Sequence, residues 1–133
     1  MLTIPVHFYK VVYDYERYPG APGVNGLEGG ANCQLFAYEL IRHFGRTIPD
    51  FRSRELWEDE AHTHQVTELE PLDLLLFNKT EDAYGAHVAV YLGEDCAIHL
   101  SRRTGRPMIW PLAQFTAQPE YPVFIGAKRP RPA

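Results

Sequence analysis

"AHVAVYLGEDCAIHLS", residues 86–101, holds two apolar runs, 86–92 and 96–101, separated by Gly93, Glu94 and Asp95. This is the pattern of an antiparallel hairpin. Side chains alternate between the two faces of a strand. In the first run Val88, Val90 and Leu92 therefore share one face, and His87, Ala89 and Tyr91 the other. In the second, Ile98 and Leu100 fall on one side and Ala97, His99 and Ser101 on the other. Directly opposed residues of an antiparallel pair point the same way, so the two aliphatic sets must match. Leu92 then opposes Cys96 across a three-residue turn, and Ala89 opposes His99. His87 and His99 become diagonal neighbours on the less aliphatic face, with Cα atoms about 7–8 Å apart. On this reading a two-residue turn would put the histidines on opposite sides of the sheet.

Working outward, "LDLLLFN" (72–78), "MIW" (108–110) and "YPVFIGA" (121–127) are further short strands, and "VHFYKVVY" (6–13) has strand composition. "YPGAPGVNGLEGGAN" (18–32) has five glycines and two prolines in fifteen residues and must be a loop. It opens into a helical pattern, with Cys33, Phe36, Ala37, Leu40, Ile41 and Phe44 on one stripe. Asn32 is placed to cap the start of that helix and Gly45 to stop it. "SRELWEDE" (53–60) reads as a short second helix capped by Ser53. Helices followed by strands indicate an α+β domain with the Cys33 helix packed on an antiparallel sheet. Ala89 and Ala97 leave room for that helix on the face carrying the histidines.

The chain of 133 residues has the length of one domain, with 45% hydrophobic and 23% charged residues. A single domain over 1–133 is expected, with 127–133, which holds Lys128, Arg129 and Arg131 among prolines, as a solvated and flexible tail. The net charge of -4 gives no basic footprint for nucleic acid. No apolar run is long enough to span a bilayer and the first residues lack a leader pattern, so a cytoplasmic protein is expected unless another machine exports it. The sequence is silent on oligomeric state. Two cysteines are too few for a disulfide framework, and each must be judged alone.

Cys33 has three readings: a nucleophile, a metal ligand, or a small core side chain. A thiol attacks carbonyl carbon as the thiolate, which a helix N-terminus and an imidazolium both stabilise. With His87 as base, His99 as the group that orients it, and the Cys33 backbone N–H as an oxyanion donor, the set is complete for acyl transfer. Gly29 and Gly30 would let a substrate backbone approach. Cys, His and His also suit zinc. The nearest fourth ligand, Cys96, has the parity of Ile98 and Leu100 and points into the core, so neither a metal nor another cofactor is expected. His62 and His64 read as a solvated polar connection, His43 as a surface residue, and His7 as a strand residue without a partner.

These residues resemble the NlpC-type cell-wall peptidases, a papain-like cysteine peptidase family. Their pattern runs from an upstream Tyr and a glycine-rich loop to Asp-Cys-Ser-Gly opening a helix, then Pro-Gly-Asp, His-Val-Gly-Ile-Tyr-Leu-Gly and Ile-His-Ala-Ser. Here the places are held by Tyr18 with its loop, "NCQL" (32–35), "PLD" (71–73), "HVAVYLG" (87–93) and "IHLS" (98–101). The resemblance implies a papain-like domain with Cys33 as nucleophile, His87 as general base and His99 as third member. Tyr18, Asn32 and Gln34 fall at substrate-binding positions. It also implies a small peptide or peptidoglycan-fragment substrate, hydrolysed without a metal. The Asp, Ser and Gly of the family motif are here Asn32, Gln34 and Leu35. The Asp helps to hold a free amino group, and its loss removes a charge-assisted contact that Glu28 or Asp14 is left to replace. The rival reading is a binding module on the same fold that no longer turns over.

Overall fold

The computed structural model describes residues 1–132. Its centre is one antiparallel sheet of six strands: β1 (Thr63–Val66), β2 (Leu74–Asn78), β3 (His87–Gly93), β4 (Cys96–His99), β5 (Met108–Pro111) and β6 (Val123–Pro130). Their spatial order is β1-β6-β2-β3-β4-β5. The α+β architecture is the expected one.

The β3–β4 hairpin keeps the deduced parity by a different route. Val90 pairs with Ile98 and Tyr91 with Ala97, but Gly93 pairs with Cys96. The turn is therefore two residues, Glu94 and Asp95, both at positive φ (52° and 58°), the geometry whose twist suits a tight hairpin. A bulge between Tyr91 and Gly93 supplies the extra residue that a two-residue turn lacks. It leaves Cys96 half-exposed at the turn rather than in the core.

Helix α1 (Cys33–His43) begins where its chemistry says it should. The Asn32 side chain accepts the Leu35 N–H at 2.8 Å, satisfying a donor that the helix itself cannot. It ends on Gly45 at φ +86°, with Gly45 N–H donating to Arg42 and Arg46 N–H to Ile41, a closure that a left-handed glycine permits. Phe36, Leu40 and Ile41 are fully buried, each worth about 1.5–3 kcal/mol. They pack on the aliphatic face with Leu74, Leu76, Val88, Val90, Ile98 and Leu100. This corrects the expectation that α1 covers the histidine face: the larger apolar surface wins the helix. The histidine face is closed by a second cluster, with Ala89, Ala97, Trp110, Ala127 and Phe115. Phe115 comes from a short helix that the sequence did not reveal, α3 (Leu112–Thr116), and it stacks on Phe77.

Other segments also depart from expectation. Residues 6–10 form a 3-10 helix, with Phe8 buried against Phe36, because no strand lies beside them to pair. In α2 (Ser53–Glu58) the cap position is Arg52; Ser53 is the first helical residue, and its hydroxyl donates to Ala83 O at 2.7 Å. His64 lies in the edge strand β1 rather than in a loop.

The expected tail is the largest correction. Residues 127–130 end strand β6, which lies between β1 and β2; Ala133 is outside the described residues. Lys128 is fully buried, its ammonium donating to the Trp57 and Asp59 carbonyls. Arg129 grips the buried Asp73 carboxylate with two bonds of 2.8 and 2.9 Å. Each cation has a built partner, so a basic run reads as solvated while behaving as core.

Lys128→Met should therefore cost about 1–3 kcal/mol, because two buried carbonyls lose their donor. Arg131→Ala, at an exposed site, should change stability by about 0.5 kcal/mol or less. Urea unfolding of both variants checks this: equal, negligible losses would restore the tail reading.

Candidate active site

Strand β3 brings His87 to the end of the sheet, and β4 carries His99 to the same face. His87 Nε2 lies 2.8 Å from His99 Nδ1, with the rings edge to face at 5.0 Å. The diagonal contact deduced from parity is present. Aromatic rings hold the pair: Tyr121 stacks on His87 at 4.5 Å, and Trp110 and Phe115 lie 4.2 and 4.5 Å from His99. Sequence reasoning missed all three, and periodicity carries no signal for them. His99 Nε2 is buried without a polar partner. If His87 Nδ1 is to receive a proton, Nε2 must donate to His99 Nδ1, which puts the His99 proton on Nε2 against the aromatic faces.

Cys33 arrives from the other side of the sheet. The last β3–β4 pair is Val90 with Ile98, so β3 is open toward His87, and the N–H of Val88 meets the Cys33 sulfur there. The thiol thus sits one residue from His87, although the body of its helix lies on the opposite face. The N–H groups of Cys33 and Gln34 also act on the sulfur, as orphan donors of a first helical turn do. Burial pushes the thiol up, these N–H groups and Arg52 opposing it. Burial pushes His87 down to about 3 and, with the His87 charge, His99 to about 2. These shifts all favour the neutral forms, a neutral thiol and neutral imidazoles, over the imidazolium expected beside Cys33.

The substrate-side residues are placed less uniformly. Arg17 O accepts the Asn32 N–H at 2.8 Å, so Tyr18, the next residue, sits beside the start of α1. The Arg52 guanidinium lies 4.6 Å over its ring. The Asn32 side-chain oxygen is spent on the helix cap. Gln34 is buried, and its Oε1 has no partner. Gly30 serves its own chain rather than a substrate: a Cβ there would come within 2.6 Å of Val12 O. Tyr13, paired through its backbone to the Ala31 region, is pushed up by burial and by the Cys33 charge, which places it near the thiol. For Tyr121, burial and then Cys33 raise the hydroxyl to about 12. Both cysteines are free. Among the described residues no group of three His, Cys, Asp or Glu side chains is placed to hold a metal ion.

A model of the NlpC/P60 family matches residues 17–121. A solved structure of an NlpC/P60 family protein from Bacillus cereus is 27% identical, superposes with a TM-score of 0.59, and covers 77% of this chain. The match spans only 32% of that protein, about a third of its length. No curated protein matches the chain.

The buried histidine pair links stability to pH. Both pKa values are lower folded than the unfolded value of about 6.5, so the unfolded chain binds more protons below that pH. Stability is complete above about 6.5 and is lost as pH falls toward 3, by up to about 1.4 kcal/mol per pH unit for each histidine. Denaturant midpoints should drop between pH 7 and 5, and His99→Gln should make that slope shallower. A wild-type midpoint that is flat over this interval would show the pair to be less buried than described.

Proposed function

We propose that this chain, which belongs to the NlpC/P60 family, hydrolyses an amide bond in a small peptide by acyl-thioenzyme chemistry. Membership supports a peptidase or amidase type of function. The finer reading assigns Cys33 as nucleophile, His87 as general base and His99 as the group that orients it. The observation that carries it is the 2.8 Å bond from His87 Nε2 to His99 Nδ1. It fixes the imidazole through Nε2 and leaves Nδ1 as the nitrogen that can take up a proton.

In the first step the Cys33 proton passes to His87 Nδ1 while the sulfur attacks the carbonyl carbon. The oxyanion accepts a hydrogen bond from the Cys33 backbone N–H, which has no partner within the helix. Collapse of the tetrahedral intermediate breaks the C–N bond, and His87 returns its proton to the leaving amine. Water, deprotonated by the same imidazole, then hydrolyses the thioester and restores the thiol. His99 is neutral and held by aromatic rings, so it fixes ring orientation and tautomer without adding charge. By family association the substrate is a peptidoglycan stem peptide.

The test is hydrolysis of stem-peptide fragments followed by chromatography of the products. Cys33→Ala should abolish turnover. His87→Ala should lower kcat by about 10²–10⁴-fold. His99→Asn, which keeps an acceptor for His87, should retain more activity than His99→Leu. Undiminished turnover by Cys33→Ala would overturn the assignment. A wild-type protein that binds the fragments without cleaving them would favour a binding module on this fold.

A further inference from the structure

We infer that the cavity between the loop leaving α1 and the β1–β6 edge of the sheet binds a small organic phosphate, a dianionic group carried on an apolar body. The site is separate from Cys33 and does not rest on the hydrolase reading.

Strand register builds the cavity. In the β1–β6 pair His64 lies opposite Arg129, and one step further the Arg131 N–H donates to His62 O at 2.8 Å. Opposed residues share a face, as do residues two apart, so His62, His64, Arg129 and Arg131 stand together at the edge of the sheet. The chain leaves α1 through Gly45, at a left-handed φ of +86°, and Arg46 and Thr47 line the same hollow. Its volume is about 590 Å³, within the range of sites that take small molecules. Cys33 is remote from it. The eleven residues of α1, beginning with Cys33, rise about 16 Å before the loop is reached, and β1 is three strands away from β3 in the sheet.

The charge of the hollow is one-sided. Among the described residues no Asp or Glu lines it, in a chain of net charge -4. Arginines without a carboxylate partner occur elsewhere on this chain; what is particular here is that two of them, Arg46 and Arg131, meet in one concave place. Arg131 donates through Nε to Glu60 O at 2.9 Å, which anchors the guanidinium and leaves its two amino groups. The Arg46 backbone is fixed by its N–H bond to Ile41 O. Arg129 is neutralised by Asp73 and Glu70 and braces the wall. The acids of the adjoining connection are engaged. Asp59 takes the Thr63 N–H and hydroxyl and lies 3.3 Å from His62 Nδ1, and Glu60 lies 4.0 Å from the Lys128 ammonium. His64 Nδ1 is buried without a partner, a polar atom that the chain itself leaves unsatisfied.

Two fixed cations match a dianion. Guanidinium forks suit the paired oxygens of a phosphate monoester, which near neutral pH carries almost twice the charge of a carboxylate. The hollow is larger than a bare phosphate, and Ala61, Pro130 and Pro132 give it an apolar wall. The ester's organic part therefore has apolar surface to bury.

The test uses the full chain, with phenyl phosphate, inorganic phosphate and benzoate titrated at about 0.15 M NaCl and binding followed by amide NMR. Phenyl phosphate should give saturable shifts at residues 45–47, 62–64 and 129–131. It should bind at least about threefold more tightly than inorganic phosphate and about tenfold more tightly than benzoate. Arg46→Gln and Arg131→Gln should each weaken it roughly three- to fivefold. Arg106→Gln should not, since that arginine donates to Lys10 O on another part of the surface, and Cys33→Ala should bind as wild type does. Both cavity variants should keep the wild-type urea midpoint, so that a lost signal reports the site and not the fold. No saturable shift with phenyl phosphate up to about 10 mM would overturn the inference, as would saturation that survives the double variant. Benzoate binding as tightly as phenyl phosphate would overturn the phosphate class, and inorganic phosphate binding as tightly would overturn the apolar body.

Discussion

One extra residue in strand β3 sets the chemistry of this molecule. Without the bulge between Tyr91 and Gly93, a two-residue turn would shift the hairpin register by one and send one histidine through the sheet. With it, the aliphatic residues of both strands share one face and His87 and His99 share the other. The consequence is a division of labour. The aliphatic face draws α1 and forms the main core, and the other face is left to aromatic rings that enclose an imidazole pair.

That division explains how Cys33 and His87 can approach one another from opposite sides of one sheet. α1 is committed to the aliphatic face by Phe36, Leu40 and Ile41, so only its first turn can approach His87. It does so where β4 has stopped pairing with β3 and the Val88 N–H is free to meet the sulfur. The same burial that orders the histidines makes them poor cations. A neutral pair suits a base that must accept a proton during attack rather than store one beforehand. The unpartnered Nε2 of His99 is the cost of an aromatic enclosure: it orients the ring by shape where a carboxylate would also add charge.

Much of this was legible in residues 86–101, because period-two alternation is a local signal and the pairing of faces is a geometric necessity. The turn was not, since a two-residue turn with a bulge and a three-residue turn give the same parity. The α1 boundaries were legible as well, Asn32 and Gly45 acting through bonds to residues three or four positions away. What the sequence hid depends on distant partners. Lys128 reads as a surface cation until the Trp57 and Asp59 carbonyls are seen above it, and Tyr121 and Phe115 become walls of the site only once β6 and α3 are folded against β3. The face that α1 covers was misjudged for a related reason: small residues at Ala89 and Ala97 offered room, but buried area decides packing.

The departures from the family motif sort into those the backbone absorbs and those that alter the site. Leu72 stands where the motif has glycine and keeps a positive φ of 79° while burying its side chain. A β-carbon in that conformation costs of order 1–2 kcal/mol, which the burial of one leucine is large enough to offset. Leu35 likewise joins the main core. Asn32 is different in kind. As a helix cap it serves as well as aspartate, so the fold is indifferent to the change, and the difference is one unit of negative charge next to the thiol.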